Sequence, residues 1–159
     1  MTFVGLSEML SGGLGAALGG AAGAGIVAGS MYSREGVVAF DVGQSVRSEF
    51  IAAVQKSGKF TVKNTGPADA EVQLKVTGYG FQEAAMFGRR VRPILSIEAK
   101  MIRPGGKVVW KHRRAITHLT GETPAVLPEQ LKQNPKLGAD ALRAAARVVA
   151  TRAVESLHQ

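Results

Sequence analysis

The sequence contains no cysteine and few aromatic residues. Without cysteine it has no disulfide bond, no thiolate zinc site, no cysteine nucleophile and no residue of its own that could carry a thioether-linked lipid. The aromatic residues are one Trp, two Tyr and six Phe among 159 residues. Because alanine and glycine bury little area, the core has to come from the Val, Leu, Ile and Phe side chains after residue 36. The length suffices for one domain around one core.

Charged residues are missing from Met9 to Ser33, and the first basic residue is Arg34. A secretory signal peptide needs a basic segment ahead of its apolar stretch, and MTFVGLSEML contains none. Two explanations stay open, a cytosolic protein or a true start that lies upstream of Met1. The change in composition predicts two regions: a Gly/Ala-rich, membrane-associated or flexible segment over 1–35, and an α+β domain over 36–159.

The segment SGGLGAALGGAAGAGIVAGS, residues 11–30, has small residues at every fourth position, as at Gly15, Gly19 and Gly23. Such spacing lets helices pack closely in lipid, but the hydrophobicity is low for a membrane span and glycine disfavours a helix in water. The letters GAGIVA match a dinucleotide-binding fingerprint only formally, since Gly and Ala precede them where a strand is required. We expect a mobile or loosely helical segment that orders only against a membrane or another copy, through these three glycines.

After residue 36 the hydrophobic period changes along the chain. Asp41 and Gly58 suit the two ends of a helix over 41–57. Alternating apolar residues predict strands at about 59–64, 71–79, 93–103 and 107–118, and an alanine-rich apolar stripe predicts a closing helix at about 138–157. This order predicts an α+β fold, a two-layer sandwich in which two helices cover one face of an antiparallel sheet of about four strands. Val46 and Leu142 are expected in the core, while the other face of the sheet is either solvated or used for binding.

Residues for catalysis do not form a recognisable set. The histidines are His112, His118 and His158, and each is interpreted as a surface or edge residue. The first two fall on one predicted strand about 20 Å apart, too far to share a metal ion. Glu98 faces a basic strand, where a cross-strand ion pair is the simpler interpretation. We expect no catalytic residue, no metal and no cofactor, so the chain is not expected to be an enzyme.

Basic residues outnumber acidic ones, 20 to 12, for a formal net charge of +8, and such a balance favours anionic partners. Many of them lie in or beside one predicted hairpin, where they define a basic strip: Arg89, Arg90, Arg92, Lys100, Arg103, Lys107, Lys111, Arg113 and Arg114. A basic strip on an exposed sheet can bind nucleic acid, but this one lacks interleaved aromatic residues for stacking bases. Anionic lipid headgroups or an acidic protein surface fit the strip better.

The stretch SVRSEFIAAVQKSGKFTVKNTGPADAEVQLKVTGYGF resembles a pattern in small Gram-negative outer-membrane lipoproteins: a helix, G-x-F-x-V, and a strand that follows Ala-Asp. A later hairpin carries Gly-Lys-Val-Val-Trp from Gly106, and an alanine-rich helix closes the domain. The curli-secretion lipoprotein, the activator lipoprotein of penicillin-binding proteins and the amino-terminal domain of the Tol β-propeller protein are similar in arrangement. The resemblance covers about residues 41–157. It implies a signal peptide, a lipidated cysteine and a first β-strand, none of which is recognised in this sequence, and a truncated start explains their absence.

Two functions follow as hypotheses. The first is a non-catalytic periplasmic binding or assembly module at the outer membrane, whose partner is an envelope protein or an anionic lipid surface. Homo-oligomers would form through the Gly/Ala segment. The alternative is a cytosolic nucleic-acid-binding module that uses the basic strip.

Overall fold

The computed structural model describes residues 2–8, 40–63, 68–84, 89–117 and 120–157, with backbone only for 2–8 and 63. The elements in chain order are β1 (Thr2–Glu8), α1 (Val42–Ser57), β2 (Thr61–Lys63), β3 (Ala70–Glu83), β4 (Val91–Ile102), β5 (Val108–Ile116), α2 (Pro128–Gln133) and α3 (Pro135–Ser156). The Gly/Ala segment, with Gly15, Gly19 and Gly23, lies outside the described residues, as do His118 and His158. The division at residue 35 therefore stays a prediction. Within the described ranges, no helix is long and apolar enough to cross a membrane.

Both ends of α1 are set by residues that the sequence indicated. The side chain of Asp41 accepts a hydrogen bond from the backbone N–H of Gln44 at 2.8 Å, which satisfies a helix N–H that has no partner within the helix. Gly58 has a φ of +65° and donates its N–H to the carbonyl of Gln55. Glycine adopts this left-handed conformation without a Cβ clash. The predicted helix over 41–57 is confirmed.

Replacing Gly58 by alanine should destabilise the domain by about 1 kcal/mol, because a Cβ is strained at this φ. The space around the position is open, so a steric contact would not add to the cost. Urea unfolding measures the loss. Gln55→Ala, at an exposed helical position of α1, is the control and should leave stability within about 0.5 kcal/mol. An equal loss in both variants would contradict the role of the backbone conformation.

The sheet has five strands in the order β2-β1-β3-β4-β5. The ladder from β3 through β4 to β5 is antiparallel, but β1 lies between β2 and β3 and is parallel to both. The sequence predicted about four antiparallel strands and recognised no first strand, and both expectations are corrected here. Strand β1 pairs with residues far along the chain, so its local pattern reveals neither its partners nor its direction. Residues 2–8 thus form one strand of the sheet.

The hairpin of β3 and β4 is longer than predicted. The sequence predicts strands at about 71–79 and 93–103, whereas β3 continues to Glu83 and pairs there with Val91 at the start of β4. Phe81 is 3% exposed and opposes Pro93. The register shifts between Val76 and Gly78, an irregularity that a glycine within a strand allows.

Helices α1 and α3 pack against each other, and α3 lies over β4 and β5. Their buried side chains and the inward residues of the sheet form one core, in which Val46 and Leu142 are buried as predicted. The inward surface of α3 is mostly alanine, including Ala145, Ala146 and Ala150. The predicted two-layer α+β sandwich with helices on one face is therefore confirmed, and the opposite face of β3, β4 and β5 is left for other contacts.

Candidate functional site

Strand alternation defines the open face, the side of β3–β5 that points away from α1 and α3. In β4 every second residue from Val91 to Met101 is buried, and the residues between them are half-buried. The register carries this alternation to the neighbouring strands. The open face includes Glu71, Gln73 and Lys75 on β3; Arg92, Ile94, Ser96, Glu98, Lys100 and Ile102 on β4; and Val108, Lys111, Arg113 and Ala115 on β5.

Glu98 is at the centre of the open face and binds three cations. One carboxylate oxygen, Oε1, lies 3.1 Å from Nζ of Lys100 and 3.4 Å from Nζ of Lys111. The other, Oε2, accepts a hydrogen bond from Nε of Arg113 at 3.0 Å. The predicted cross-strand ion pair is thus present, since Arg113 is directly opposite Glu98 in the register. Lys100 and Lys111 also oppose each other. The carboxylate of Glu98 contacts both ammonium groups and reduces the repulsion between them.

The carboxylate is covered while its partners are open to solvent. The side chain of Glu98 is 13% exposed, against 40% for Lys100, 48% for Lys111 and 72% for Arg113. The hydrogen bond from Lys100, followed by the contacts of Arg113 and Lys111, lowers the pKa of Glu98 from 4.5 to about 2, although burial opposes the shift. Glu98 is therefore ionised near neutral pH and fixes the three cations around it.

Lys75 adds a fourth cation beside this group. It is exposed and directly opposite Glu98 on β3. We name Lys75, Lys100, Lys111 and Arg113 the cationic cluster; with Glu98 inside it, three positive charges are in excess. The sequence analysis left Lys75 out of the basic strip. The alternation of β3 indicates the face of Lys75, but its place opposite Glu98 depends on the register between β3 and β4.

The rest of the basic strip does not join the cationic cluster. Arg89 and Arg90 precede β4 and Arg92 is near its start, whereas Arg103 and Lys107 are in the turn beyond its end. Because β4 has 12 residues at about 3.3 Å each, the two groups are about 40 Å apart. The predicted strip is therefore divided into three groups and a lone Arg114, and only Lys100, Lys111 and Arg113 among its members surround one carboxylate.

Arg114 is on the other face of the sheet, which corrects its place in the basic strip. It opposes the buried Ile97, and its Nη2 lies 3.6 Å from Oε2 of Glu122. The second oxygen of Glu122, Oε1, lies 3.5 Å from Nη2 of Arg152 on α3. Arg114 therefore joins β5 to the chain after it and to α3, and it is not available to a ligand on the open face.

His112 is on β5, the edge strand, as the sequence interpretation expected. Its ring is stacked on Trp110 with centroids 5.8 Å apart and planes inclined by 1°. Burial, and then the charge of Arg114, lowers the pKa of His112, so the ring is neutral at pH 7. Among the described residues, no group of three His, Cys, Asp or Glu is placed to hold a metal ion.

Comparison with known proteins identifies a structural relative. The chain is similar in fold to protein XCC0632 from Xanthomonas campestris, of family DUF330, with a TM-score of 0.50 and 16% identity; the alignment covers 70% of this chain and 58% of that chain. The chain thus spans less than two thirds of that protein. No family model and no curated protein matches the sequence.

Two further solved structures align with lower scores. A dodecamer of a PelC variant from Paraburkholderia phytofirmans has a TM-score of 0.38 and 13% identity, over 90% of this chain and 82% of that chain. A minor lipoprotein from Acinetobacter baumannii has a TM-score of 0.34 and 11% identity, over 72% of this chain and 86% of that chain. The likeness to XCC0632 shows the fold alone, and it agrees with the α+β fold that the sequence resemblance implied.

Proposed function

We propose that this chain is a non-catalytic binding or assembly module of the cell envelope, periplasmic and associated with the outer membrane. It docks on an envelope component through the open face of its sheet. The sequence resemblance to small outer-membrane lipoproteins supports the compartment. One observation carries the docking surface: a cationic cluster with three excess positive charges on the face that the helices leave uncovered.

The geometry favours a flat anionic partner. The four cations lie on three adjacent strands of the uncovered face, and three of them already share the carboxylate of Glu98, so a partner would meet them on an open surface. Lys100, Lys111 and Arg113 keep much of their exposure despite their contacts with Glu98. A surface of this kind attracts anionic groups at distances up to about 10 Å at 0.1 M salt.

Binding to vesicles tests the proposal directly. The chain should sediment with vesicles containing phosphatidylglycerol more than with phosphatidylcholine vesicles, and added salt should weaken the association. The double variant Lys111→Glu with Arg113→Glu should reduce binding at least about tenfold, since each basic residue near an anionic surface contributes about 1 kcal/mol. Arg114 is left unchanged because it is ion-paired on the other face.

The matched control is Lys56→Glu with Lys59→Glu, which changes the net charge equally at the exposed end of α1. It should retain most of the binding. Equal losses in the two double variants would mean that net charge alone governs the association, which would contradict docking through the open face. Tighter binding to duplex or single-stranded DNA of matched charge would favour the cytosolic nucleic-acid-binding alternative.

A further inference from the structure

Strand β5 is the last strand of the sheet on the side away from β1. Within the described residues no further strand pairs with it, so alternate backbone N–H and C=O groups of β5 face outward. The register shifts between Met101 and Ile102 at the start of β5, and from Trp110 to Ile116 the pairing with β4 is regular. This regular part matches the length of a typical added strand.

The two sides of β5 differ in chemistry. On the open face, the side chains beside the edge are those of Lys111, Arg113 and Ala115, and Arg113 is 72% exposed. On the other side are Trp110 and His112, whose stacked rings are half-buried. A strand added at this edge would place alternate residues beside the cations and the residues between them beside the rings.

The start of β5 also exposes apolar side chains. Val108 and Val109 are 50% and 38% exposed, and together with Tyr79 they are the large apolar residues most open to solvent among those described. Unpaired edges with apolar side chains are sites where another chain can pair.

We propose that the β5 edge accepts an extended segment of another protein, in which acidic residues alternate with apolar ones. The acidic residues face Lys111 and Arg113, and the apolar residues pack on Trp110 and His112. This inference rests on the proposed docking function, because Lys111 and Arg113, which would bind the acidic residues, belong to the cationic cluster.

Charge decides between this partner and a second copy of the chain. Antiparallel pairing of two β5 strands over this region would bring Lys111 and Arg113 of each copy beside those of the other, which is unfavourable. The opposite edge of the sheet, β2, has only 3 residues, too few to match the regular part of β5. An acidic strand instead neutralises the excess charge of Lys111 and Arg113. These cations therefore disfavour pairing between two copies of β5 and favour pairing with the acidic partner.

Synthetic peptides test the inference. The parent probe is a tryptophan-free peptide of about eight residues in which Glu alternates with Val. Trp110 is the only tryptophan of the chain, so its fluorescence reports occupation of the edge. Two further peptides carry N-methyl groups on the amides of all Glu or of all Val residues, which removes the hydrogen bonds along one peptide edge and leaves the composition unchanged.

The parent peptide should change Trp110 fluorescence saturably and slow the amide hydrogen exchange of residues 110–116. One N-methylated peptide should bind at least about tenfold more weakly while the other keeps most of its affinity, because antiparallel pairing is the more stable and, with Glu on the open face, it turns only one peptide edge to β5. The variant Lys111→Glu with Arg113→Glu should no longer bind the parent peptide, and it should instead bind a peptide in which Lys replaces every Glu. The variant Lys56→Glu with Lys59→Glu should bind the peptides as the wild type does.

Equal binding of all three acidic peptides would overturn strand addition, and vesicle binding in the same samples would show that the docking function itself survives. Absence of binding to the peptides and to anionic vesicles would overturn both. Preference of the wild type for a scrambled acidic peptide, or for a β5 peptide of its own sequence, would likewise contradict the proposed partner.

Discussion

Phe50→Ala should destabilise the domain by about 3–5 kcal/mol, which is the usual cost of truncating a fully buried phenylalanine. Phe50 is 1% exposed and is among the largest side chains in the core. Much of the buried surface of α3 is alanine, which cannot move into the space that the ring would leave. Since domains of this size are stable by about 5–15 kcal/mol, the loss is a large part of the total.

Urea unfolding followed by Trp110 fluorescence and by circular dichroism measures this loss. Ser48→Ala, at an exposed position of the same helix, is the control and should stay within about 0.5 kcal/mol of the wild type. A loss below about 1 kcal/mol for Phe50→Ala would mean that α1 does not depend on this side chain for its packing on the rest of the core.

Acid should weaken the domain through Glu98. Its pKa in the folded state is lowered from 4.5 to about 2, so folding favours the carboxylate, and the resulting stability is fully present above about pH 4.5. It is lost as the pH falls from there to about 2. The shift corresponds to about 3 kcal/mol at 1.36 kcal/mol per pH unit. Solvent around the exposed cations screens the ion pairs and reduces the expected contribution to about 1–2 kcal/mol.

Unfolding free energies measured between pH 6 and pH 2 test this contribution. Glu98→Gln should be less stable than the wild type at pH 6, because Lys100, Lys111 and Arg113 then lose their shared partner, and its stability should fall less steeply in acid. Glu129→Gln, at an exposed position of α2 with the same change in charge, should follow the wild type. Parallel acid profiles for the wild type and Glu98→Gln would contradict the role of Glu98.

The features that the sequence predicted correctly are those that depend on residues close together in the chain. The caps of α1 at Asp41 and Gly58 and the alternation of β4 depend on residues close in sequence, and both are as predicted. The length of β3 was underestimated because glycines that weaken a strand in isolation are tolerated when long strands hold both sides of a hairpin. Strand β1 was missed because its partners are far along the chain.

In the candidate site, too, the sequence predicted the contacts between neighbouring strands of one hairpin but not the contacts with more distant residues. The sequence indicated that Glu98 faces basic residues, since a short turn fixes the pairing of β4 with β5. It did not indicate that Lys75 lies opposite Glu98 or that Arg114 binds Glu122. Those placements depend on the register across β3 and on a contact with the chain that follows β5. The sequence therefore identified the basic residues, but not which of them lie together on one surface.

The position of β1 has a consequence for the order in which the chain can fold. Its residues are synthesised before those of its partners, since Thr2 pairs with Thr61 and Phe3 with Ala70. The strand therefore has no hydrogen-bonding neighbour on either side until the chain is complete well beyond α1. Closing so long a loop is slow compared with forming α1 or the hairpins of β3, β4 and β5. A chain emerging from the ribosome would therefore carry an unpaired inner strand until its partners are made, and the sheet would close around that strand last.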